Sequence, residues 1–425
     1  MSAQPSTQAQ PEVVIPPQIK KNTWLLATAQ AINGAGMQLV PTLGAIQVVT
    51  LLGNAAFAGV ATSLVALSRV MTAFLVGRLT DQRGRKAGMY LGLWLALVGA
   101  LTIGMATLMG SFVLFGVGAL VFGSGVGAVQ QMRVAAADMY PPSRRGEGIS
   151  LVAMGSLFGS GIAPLLVWLA ERLGKPTGVN EIALSWLLLP LLILPCFWLV
   201  RSIQPDPRQI ALELDRYYPA WALDSTALGK VAADPADYSQ VRRAAILSAV
   251  MVQGQMVMMM AMTALALKAL DCSLSQISFS VALHAAGMFA FSWPIGRVAD
   301  RFGRKPVILA GLVVAGCGAL LIGLGQGYGV ITFGTFLVGL GWSGAFLGSN
   351  TMLTDVTPAN RRGQAIGILE QWSNAAGMTL PIVGGLIVEG FDLHFLGYFG
   401  ALLVLLPILA VAWVSEHRPG SYALK

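Results

Sequence analysis

Long apolar runs alternate with short polar loops along most of the chain, and six runs stand on either side of a longer polar stretch. Each run is long enough to cross about 30 Å of hydrocarbon as a helix. The runs lie at residues 24–52, 56–80, 87–109, 111–137, 147–170, 182–200, 243–270, 274–299, 306–325, 328–354, 364–388 and 393–415. The pattern predicts an all-α membrane protein with 12 transmembrane helices in two six-helix halves.

Changes in polarity along the chain divide it into five segments. Residues 1–22 are polar and rich in Pro and Gln, so we expect a disordered tail. A six-helix bundle at 23–200, a Pro-containing middle loop at 201–242 and a second bundle at 243–416 follow. Residues 417–425 form a short polar tail.

Composition excludes several classes of protein. The chain has 425 residues, of which 55% are hydrophobic and only 11% are charged, so it belongs in a lipid bilayer. The 50 glycines fit close helix packing in lipid. The net charge of +8 lies in short loops between apolar runs, which argues against a nucleic-acid partner. Three scattered cysteines are too few for a disulfide framework.

Basic residues set the expected orientation. Lys and Arg concentrate in the loops at 78–86, 201–243 and 297–305, on the side that would also carry both termini. Loops rich in Lys and Arg stay in the cytoplasm. We therefore expect both termini there.

The two halves share two motifs, which recur 219 and 217 residues later. The first reads Gly-Arg-x3-Asp-x2-Gly-Arg-Lys at 77–86 and at 296–305, and the second reads Asp-x2-Pro-x2-Arg-Arg-Gly at 138–146 and at 355–363. Repeated halves are typical of alternating-access carriers, whose substrate binds near the midplane between them. The expected gating residues of the first motif are Gly77, Asp81, Gly84, Arg85, Gly296, Asp300, Gly303 and Arg304. Glycine permits a tight turn, and the Asp would hold a neighbouring helix end or Arg in one state and release it in the other.

The first motif resembles the signature loop of the major facilitator superfamily, and the likeness covers nearly the whole chain. The resemblance implies that superfamily's twelve-helix fold. Many proton-driven drug exporters of the superfamily carry an Arg in the fourth helix, where this chain has Ala119. Their Gly-Pro-x2-Gly-Gly pattern in the fifth helix is replaced by Ala163-Pro164-Leu-Leu. Both differences argue against drug–proton antiport.

Two pairs of side chains suggest metal chemistry. Met256 and Met260 lie four residues apart in the seventh run, and His284 and Met288 lie four apart in the eighth, so each pair shares a helix face. Thioethers suit Cu(I), and imidazole also binds copper. Both pairs fall roughly 18–26 Å from the basic side at about 1.5 Å per residue. The alternative is that methionine simply fills the core, because this run is rich in it.

These four residues resemble those of the CcoA-like copper importers in type, order and helix. The resemblance implies a copper ion as transported substrate, no cofactor, no enzymatic activity and supply of copper for a cbb3-type cytochrome oxidase. It further implies a bacterial inner membrane, with a periplasmic or cytoplasmic copper chaperone as partner. Riboflavin-moving relatives of that family lack the Met and His pairs.

Charged residues inside predicted spans provide further candidates. Arg69 lies roughly 18 Å up the second helix from Asp81 at about 1.5 Å per residue, where charge is costly. It is a counter-ion for an anionic substrate, a partner of Glu370 or part of a structural ion pair. Glu370 is a proton carrier or a gate salt bridge. Arg133 contributes charge to the cavity, reaches the membrane surface or pairs with Asp138. The polar residues expected to line the cavity, or to bond between helices, include Gln253 and Asn33.

Three functions remain open at this level. The methionine and histidine pairs favour copper import by alternating access. A carrier of an organic solute, such as riboflavin or an anion and with or without proton coupling, would use Arg69 instead. A sensor or assembly factor would have no continuous pathway.

Overall fold

The computed structural model describes residues 14–141, 144–218, 238–357 and 361–415. Within these ranges the chain is helical, and no strand occurs among the described residues. The helices are α1 Pro17–Leu52, α2 Val60–Arg83, α3 Arg85–Met109, α4 Phe112–Val129, α5 Gln131–Asp138, α6 Arg145–Thr177, α7 Glu181–Ser202, α8 Pro207–Leu212, α9 Leu214–Tyr217, α10 Ser239–Ala269, α11 Leu274–Phe289, α12 Ser292–Phe302, α13 Arg304–Leu324, α14 Tyr328–Asp355, α15 Arg362–Gly390, α16 Leu393–Leu403 and α17 Leu405–Trp413.

Eleven segments of the described residues are long and apolar enough to cross a membrane. The remaining predicted span is α15, a helix of 29 residues that packs against α2 and α10. Large apolar side chains such as Trp94, Leu191 and Trp413 are exposed on the outside of the bundle, as a lipid-facing surface requires. The chain is therefore an all-α, multi-pass membrane protein, as the hydrophobic pattern predicts.

Local chemistry fixes several helix ends. The Asn180 side chain accepts hydrogen bonds from the backbone amides of Ile182 and Ala183 at the start of α7. Ser273 and Gln276 form a reciprocal capping box at the start of α11. These caps lie where an apolar run follows a polar loop, so the predicted and observed ends agree closely.

Three predicted spans are interrupted. The fourth breaks between α4 and α5, the eighth between α11 and α12, and the twelfth between α16 and α17. In the eighth and twelfth spans a proline, Pro294 or Pro407, follows the break at the third position of the new helix. Proline has no N–H to donate to the preceding turn, so the hydrogen-bond ladder is lost there.

The predicted tail and middle loop need correction at their edges. Helix α1 begins at Pro17, inside the tail predicted for 1–22, because proline suits the first position of a helix. Residues 239–242, assigned to the middle loop, already belong to α10. Residues 219–237 and the second tail at 417–425 lie outside the described residues.

Each half contains the same turn after its second span. Gly84 and Gly303 have φ of 93° and 107°, which favours glycine. The next lysine, Lys86 or Lys305, then reaches the last span of its own half. Lys86 Nζ donates to the Ile203 carbonyl (2.8 Å), and Lys305 Nζ donates to the carbonyl of Ala412 (2.7 Å). We call the end of the bundle that carries these turns the basic end.

Candidate functional site: a cavity between the two halves

A cavity of about 250 Å³ lies between the two halves. Helices α1, α2, α4, α5 and α6 of the first half and α10, α11, α14 and α15 of the second contribute to it. Its lining residues are Gly34, Met37, Gln38, Val40, Pro41, Thr62, Val65, Ala66, Arg69, Phe122, Val126, Gln130, Arg133, Ser156, Gln253, Met256, Val257, Met260, Ala285, Met288, Phe289, Trp342, Asn374 and Gly377. The cavity holds six of the nine predicted metal and cavity residues.

Arg69 projects into this cavity from the middle of α2. Its guanidinium has no ion pair and no hydrogen bond within the described part of the chain. Glu370 interacts with it electrostatically, yet the two groups form no direct ion pair. Arg69 is therefore a cation available to whatever occupies the cavity.

Arg133 also lines the cavity, which is one of the three positions that we expected for it. Its Nη2 donates to Ser156 Oγ (3.3 Å), while its Nε is buried and has no hydrogen-bond partner in the described part of the chain. Asp138 instead accepts a hydrogen bond from Arg85 Nε at 2.7 Å. Among the described residues, Arg133 therefore donates a hydrogen bond to a neutral hydroxyl and forms no direct ion pair.

Glu370 lies on α15 and interacts electrostatically with both arginines. It is not among the residues that line the cavity, and its side chain is exposed. The neighbourhood of the cavity therefore combines two guanidinium groups with one more distant carboxylate.

Gln253 is held in one orientation by an aromatic neighbour. Its Oε1 accepts a hydrogen bond from Trp342 Nε1 at 2.7 Å. The indole is itself stacked on Phe346, with ring centroids 4.8 Å apart, and meets the edge of Phe289. Because the oxygen is committed, the Gln253 amide presents its NH₂ donors to the cavity.

Asn33 does not line this cavity, contrary to expectation. It points into a separate void of about 10 Å³ beside Phe122 and Cys196. On α1 the cavity face is formed by Gly34, Met37 and Gln38. Asn33 falls beside that face because successive helical residues differ by about 100°.

The structure brings three of the four predicted metal ligands together. Met256 and Met260 of α10 and Met288 of α11 all line the cavity. Met258 is fully buried on the other side of α10, with its sulfur close to Gly384. Met256 and Met258 therefore lie on different sides of α10, because residues two positions apart on a helix are separated by about 200°, at about 100° per residue.

His284 lies behind the cavity wall. It is 0% exposed, and its Nδ1 donates to the Thr335 carbonyl on α14 at 2.7 Å. Its Nε2 is buried and has no hydrogen-bond partner among the described residues. Ala285 and Met288 of the same helix face the cavity, whereas the imidazole packs between α11 and α14. Among the described residues, no cluster of three or more His, Cys, Asp or Glu exists, so a metal here would depend on thioethers.

The expected gating residues sit at the basic end. Arg85 bonds Asp138, and Arg304 Nε bonds Asp355 Oδ2 at 3.2 Å, so the two halves repeat this pair. Asp300 forms a further ion pair with Arg304 at 2.8 Å. The side chain of Asp81 lies outside the described residues. Gly77 and Gly296 stand inside helices, with open space where a side chain would be.

The two halves touch at the end opposite the basic turns. Ser63 Oγ donates to the Met378 carbonyl at 2.6 Å, which joins α2 to α15. Glu171 at the end of α6 accepts from the backbone amide of Ser275 at 3.3 Å. These contacts hold the two halves together on that side.

Sequence reasoning missed Ser156, Gln130 and Trp342. Ser156 had a signal, since Ser373 occupies the equivalent place 217 residues later, inside an apolar span. Nothing in the sequence distinguishes the cavity tryptophan from those that face lipid.

Comparisons with known proteins agree with this architecture. The chain is 27% identical to YdeG, an uncharacterized MFS-type transporter of Bacillus subtilis (strain 168), over 93% of this chain and 92% of the relative. It is 26% identical to the riboflavin transporter RfnT of Brucella anthropi, over 93% and 94% of the two chains. The solved D-xylose-proton symporter has the same fold, with a TM-score of 0.73 at 16% identity, and covers 93% of this chain and 97% of its own.

The family model of the Major Facilitator Superfamily matches residues 26–267 and 244–425, which together span nearly the whole chain. The chain belongs to the Major Facilitator Superfamily, and it is a membrane transporter, not an enzyme.

Proposed function

We propose that this transporter carries a small organic anion through the cavity between its halves. The observation that carries the proposal is the guanidinium of Arg69, which faces the cavity without an ion pair or hydrogen bond among the described residues. A charge inside a membrane protein is costly unless a partner or water compensates it. An anionic substrate supplies that partner.

A second positive group strengthens the case. Arg133 lines the same cavity, and its guanidinium donates a hydrogen bond to the neutral hydroxyl of Ser156. Two guanidinium groups offer several donors in fixed planes, which suit carboxylate or phosphate oxygens. Glu370 offsets part of this charge from outside the cavity wall.

The rest of the cavity suits a flat apolar body. Phe122, Phe289 and Trp342 supply ring surfaces, and the methionines adapt to irregular shapes. The Gln253 amide adds hydrogen-bond donors for a carbonyl oxygen. A volume of about 250 Å³ exceeds what a bare metal ion fills. The similarity to a riboflavin transporter points to flat, multi-ring solutes as well.

Transport would follow alternating access, with the gate residues of the two turns at the cytoplasmic side. Under the orientation expected from the basic loops, both termini lie in the cytoplasm of a bacterial cell and the basic end faces inward. The contacts between Ser63 and Met378 then belong to the outer gate. Rearrangement of the turns around Asp300 would close the opposite side.

Binding and flux measurements test the proposal. Riboflavin 5′-phosphate, neutral riboflavin and salicylate are compared as ligands of the purified protein and as solutes entering proteoliposomes. Arg69→Gln should weaken binding of the anions at least about tenfold, or about 1.4 kcal/mol. The same substitution should weaken the binding of neutral riboflavin by a smaller factor. Arg172→Gln is the matched control, because Arg172 lies over the Trp168 ring outside the cavity.

The proposal fails if no anion in the panel binds the wild type, or if Arg69→Gln binds every anion normally. Binding without flux would instead favour a sensor or assembly factor.

Copper import is a second candidate, favoured by the three thioethers of Met256, Met260 and Met288 on one cavity. The unpartnered Nε2 of His284 would become a fourth ligand after a rotation of the ring toward the cavity. A copper chaperone would then be its partner. The two cavity arginines oppose this function, because they repel a cation in a region of low dielectric constant.

A further inference from the structure

A second cavity, of about 460 Å³, lies within the second half at the basic end. It is formed by the first turns of α10 and α15 and the end of α14, away from the central cavity. Three arginines line it: Arg242, Arg243 and Arg361. Its other lining residues are Ser239, Ile246, Leu353, Thr357, Gln364, Ala365 and Ile368. The cavity therefore has a basic rim and an apolar floor.

The three arginines have no counter-charge among the residues that the structure describes. None of their side chains forms an ion pair or a hydrogen bond within the described part of the chain. No Asp or Glu stands among the described lining residues. Three like charges around one space repel one another, so a bound anion stabilises the arrangement.

Comparison with the equivalent region of the first half explains the presence of this cavity. There, the equivalent place is filled by Tyr140, which is 1% exposed and shares a hydrogen bond with Thr23 Oγ1 at 3.2 Å. The Tyr140 ring comes within 2.7 Å of where a Cβ on Gly148 would be. With the repeat offset of 217, position 140 corresponds to Thr357 and position 148 to Ala365. Replacing the large ring by threonine leaves the cavity.

The same comparison explains why no carboxylate among the described residues neutralises Arg361. In the first half Arg144 Nε bonds Glu147 Oε2 at 2.8 Å. The equivalent residues of the second half are Arg361 and Gln364. The second half thus keeps the arginine and lacks the carboxylate that neutralises it.

We propose that this cavity binds the phosphate group of an anionic amphiphile, with Arg242 and Arg361 as its main ligands. Guanidinium groups bind phosphate oxygens in pairs, and their charge does not titrate away. The rim lies at the ends of spanning helices, where phospholipid head groups are found, and basic pockets between such helices bind anionic lipids. Ile246 and Ile368 on the floor would contact the first part of an acyl chain.

A soluble phosphate has the same head-group chemistry, so the experiment separates the two sources. Thermal unfolding of the full-length protein in detergent is followed with added phosphatidylglycerol, phosphatidylcholine or inorganic pyrophosphate. Phosphatidylglycerol should raise the melting temperature of the wild type, and phosphatidylcholine should not. An equal effect of pyrophosphate would identify a soluble phosphate compound as the ligand of the same site.

Two variants test the residues themselves. Arg242→Gln combined with Arg361→Gln should weaken binding of phosphatidylglycerol at least about tenfold. Thr357→Tyr should abolish it by refilling the space as in the first half. Arg297→Gln is the control, since Arg297 stacks on exposed Trp293 near the same end of the bundle.

Unchanged phosphatidylglycerol binding in the double arginine variant would overturn the proposal, and so would an equal loss in Arg297→Gln. The double variant decides the matter alone if Thr357→Tyr does not fold. The absence of any effect of phosphatidylglycerol and pyrophosphate on the wild type would also overturn it.

Discussion

The backbone of Gly59 lies directly against the carbonyl oxygen of Pro381. A Cβ added to Gly59 would stand 2.1 Å from that oxygen, much closer than two such atoms can approach. The contact joins the start of α2 in one half to α15 in the other, beside the hydrogen bond from Ser63 to Met378. Closure of this end thus depends on a position without a side chain.

Gly59→Ala should hold this end of the cavity open. The added methyl group forces α2 and α15 apart, and overpacking of this kind costs about 1–3 kcal/mol. The ratio of closed to open molecules would fall by roughly one to two powers of ten. Distances between spin labels on the two halves measure the opening.

Gly161→Ala is the control for this change, because a Cβ there meets nothing within 4 Å. Identical distance distributions for Gly59→Ala and the wild type would show that the contact does not control closure.

Gly303→Ala should lower the melting temperature. Gly303 has φ 107° and ψ 164°, a region that residues with a side chain occupy at a cost of about 1–3 kcal/mol. Gly296→Ala, inside a helix with open space around it, should leave stability unchanged or raise it slightly. Equal losses in the two variants, seen by thermal unfolding, would contradict this account of the turn.

Asp300→Asn should slow transport without weakening binding. The Asp300 carboxylate pairs with Arg304 at the turn, far from the central cavity, so its loss biases the equilibrium between states. We predict the same for Asp81→Asn, at the matching place in the first half. Initial uptake rates and equilibrium affinity for riboflavin 5′-phosphate separate the two effects. Lost affinity with normal turnover would contradict a role in gating.

Trp342→Phe should weaken recognition of flat, carbonyl-bearing solutes. The phenylalanine ring preserves stacking but cannot donate to Gln253, so the amide loses its fixed orientation. One such hydrogen bond contributes about 0.5–1.5 kcal/mol. Trp293→Phe, at an exposed position, is the control. Unchanged affinity for riboflavin and for its phosphate would remove Gln253 from the set of recognition residues.

Methionine variants test the copper candidate separately. Met256→Leu should reduce radioactive copper uptake at low copper, whereas Met258→Leu should not, because residue 258 lies against Gly384 and away from the cavity. His284→Ala should abolish that uptake if the imidazole is a ligand. Full copper uptake in His284→Ala would exclude the copper site, and so would equal losses of uptake in Met256→Leu and Met258→Leu. Organic-anion transport would then be the remaining candidate function.

Most of the fold could be predicted from the sequence, because each long apolar run corresponds to one membrane-spanning segment. The breaks before Pro294 and Pro407 lie at visible prolines, yet the hydrophobic pattern continues across them. The hydrophobic pattern does not reveal the start of α1 at Pro17, because the first turn of this helix is polar and lies outside the apolar run.

Only those features of the candidate site that depend on one helix alone could be predicted from the sequence. Opposite faces for Met256 and Met258 follow from helical geometry alone. The orientation of His284 depends on how α11 is rotated against α14, which no spacing in the sequence reports. Likewise, Arg133 lacks Asp138 as a partner because Arg85, distant in sequence, already occupies that carboxylate.

The bonds of Lys86 and Lys305 bear on how the chain is assembled. Each lysine ties the third span of a half to the last carbonyl groups of that half's sixth span. The first half can therefore complete its own ring of contacts as soon as α7 has entered the membrane, before α10 is synthesised. Biogenesis in two successive steps, with the second half docking onto a finished first half, follows from this placement.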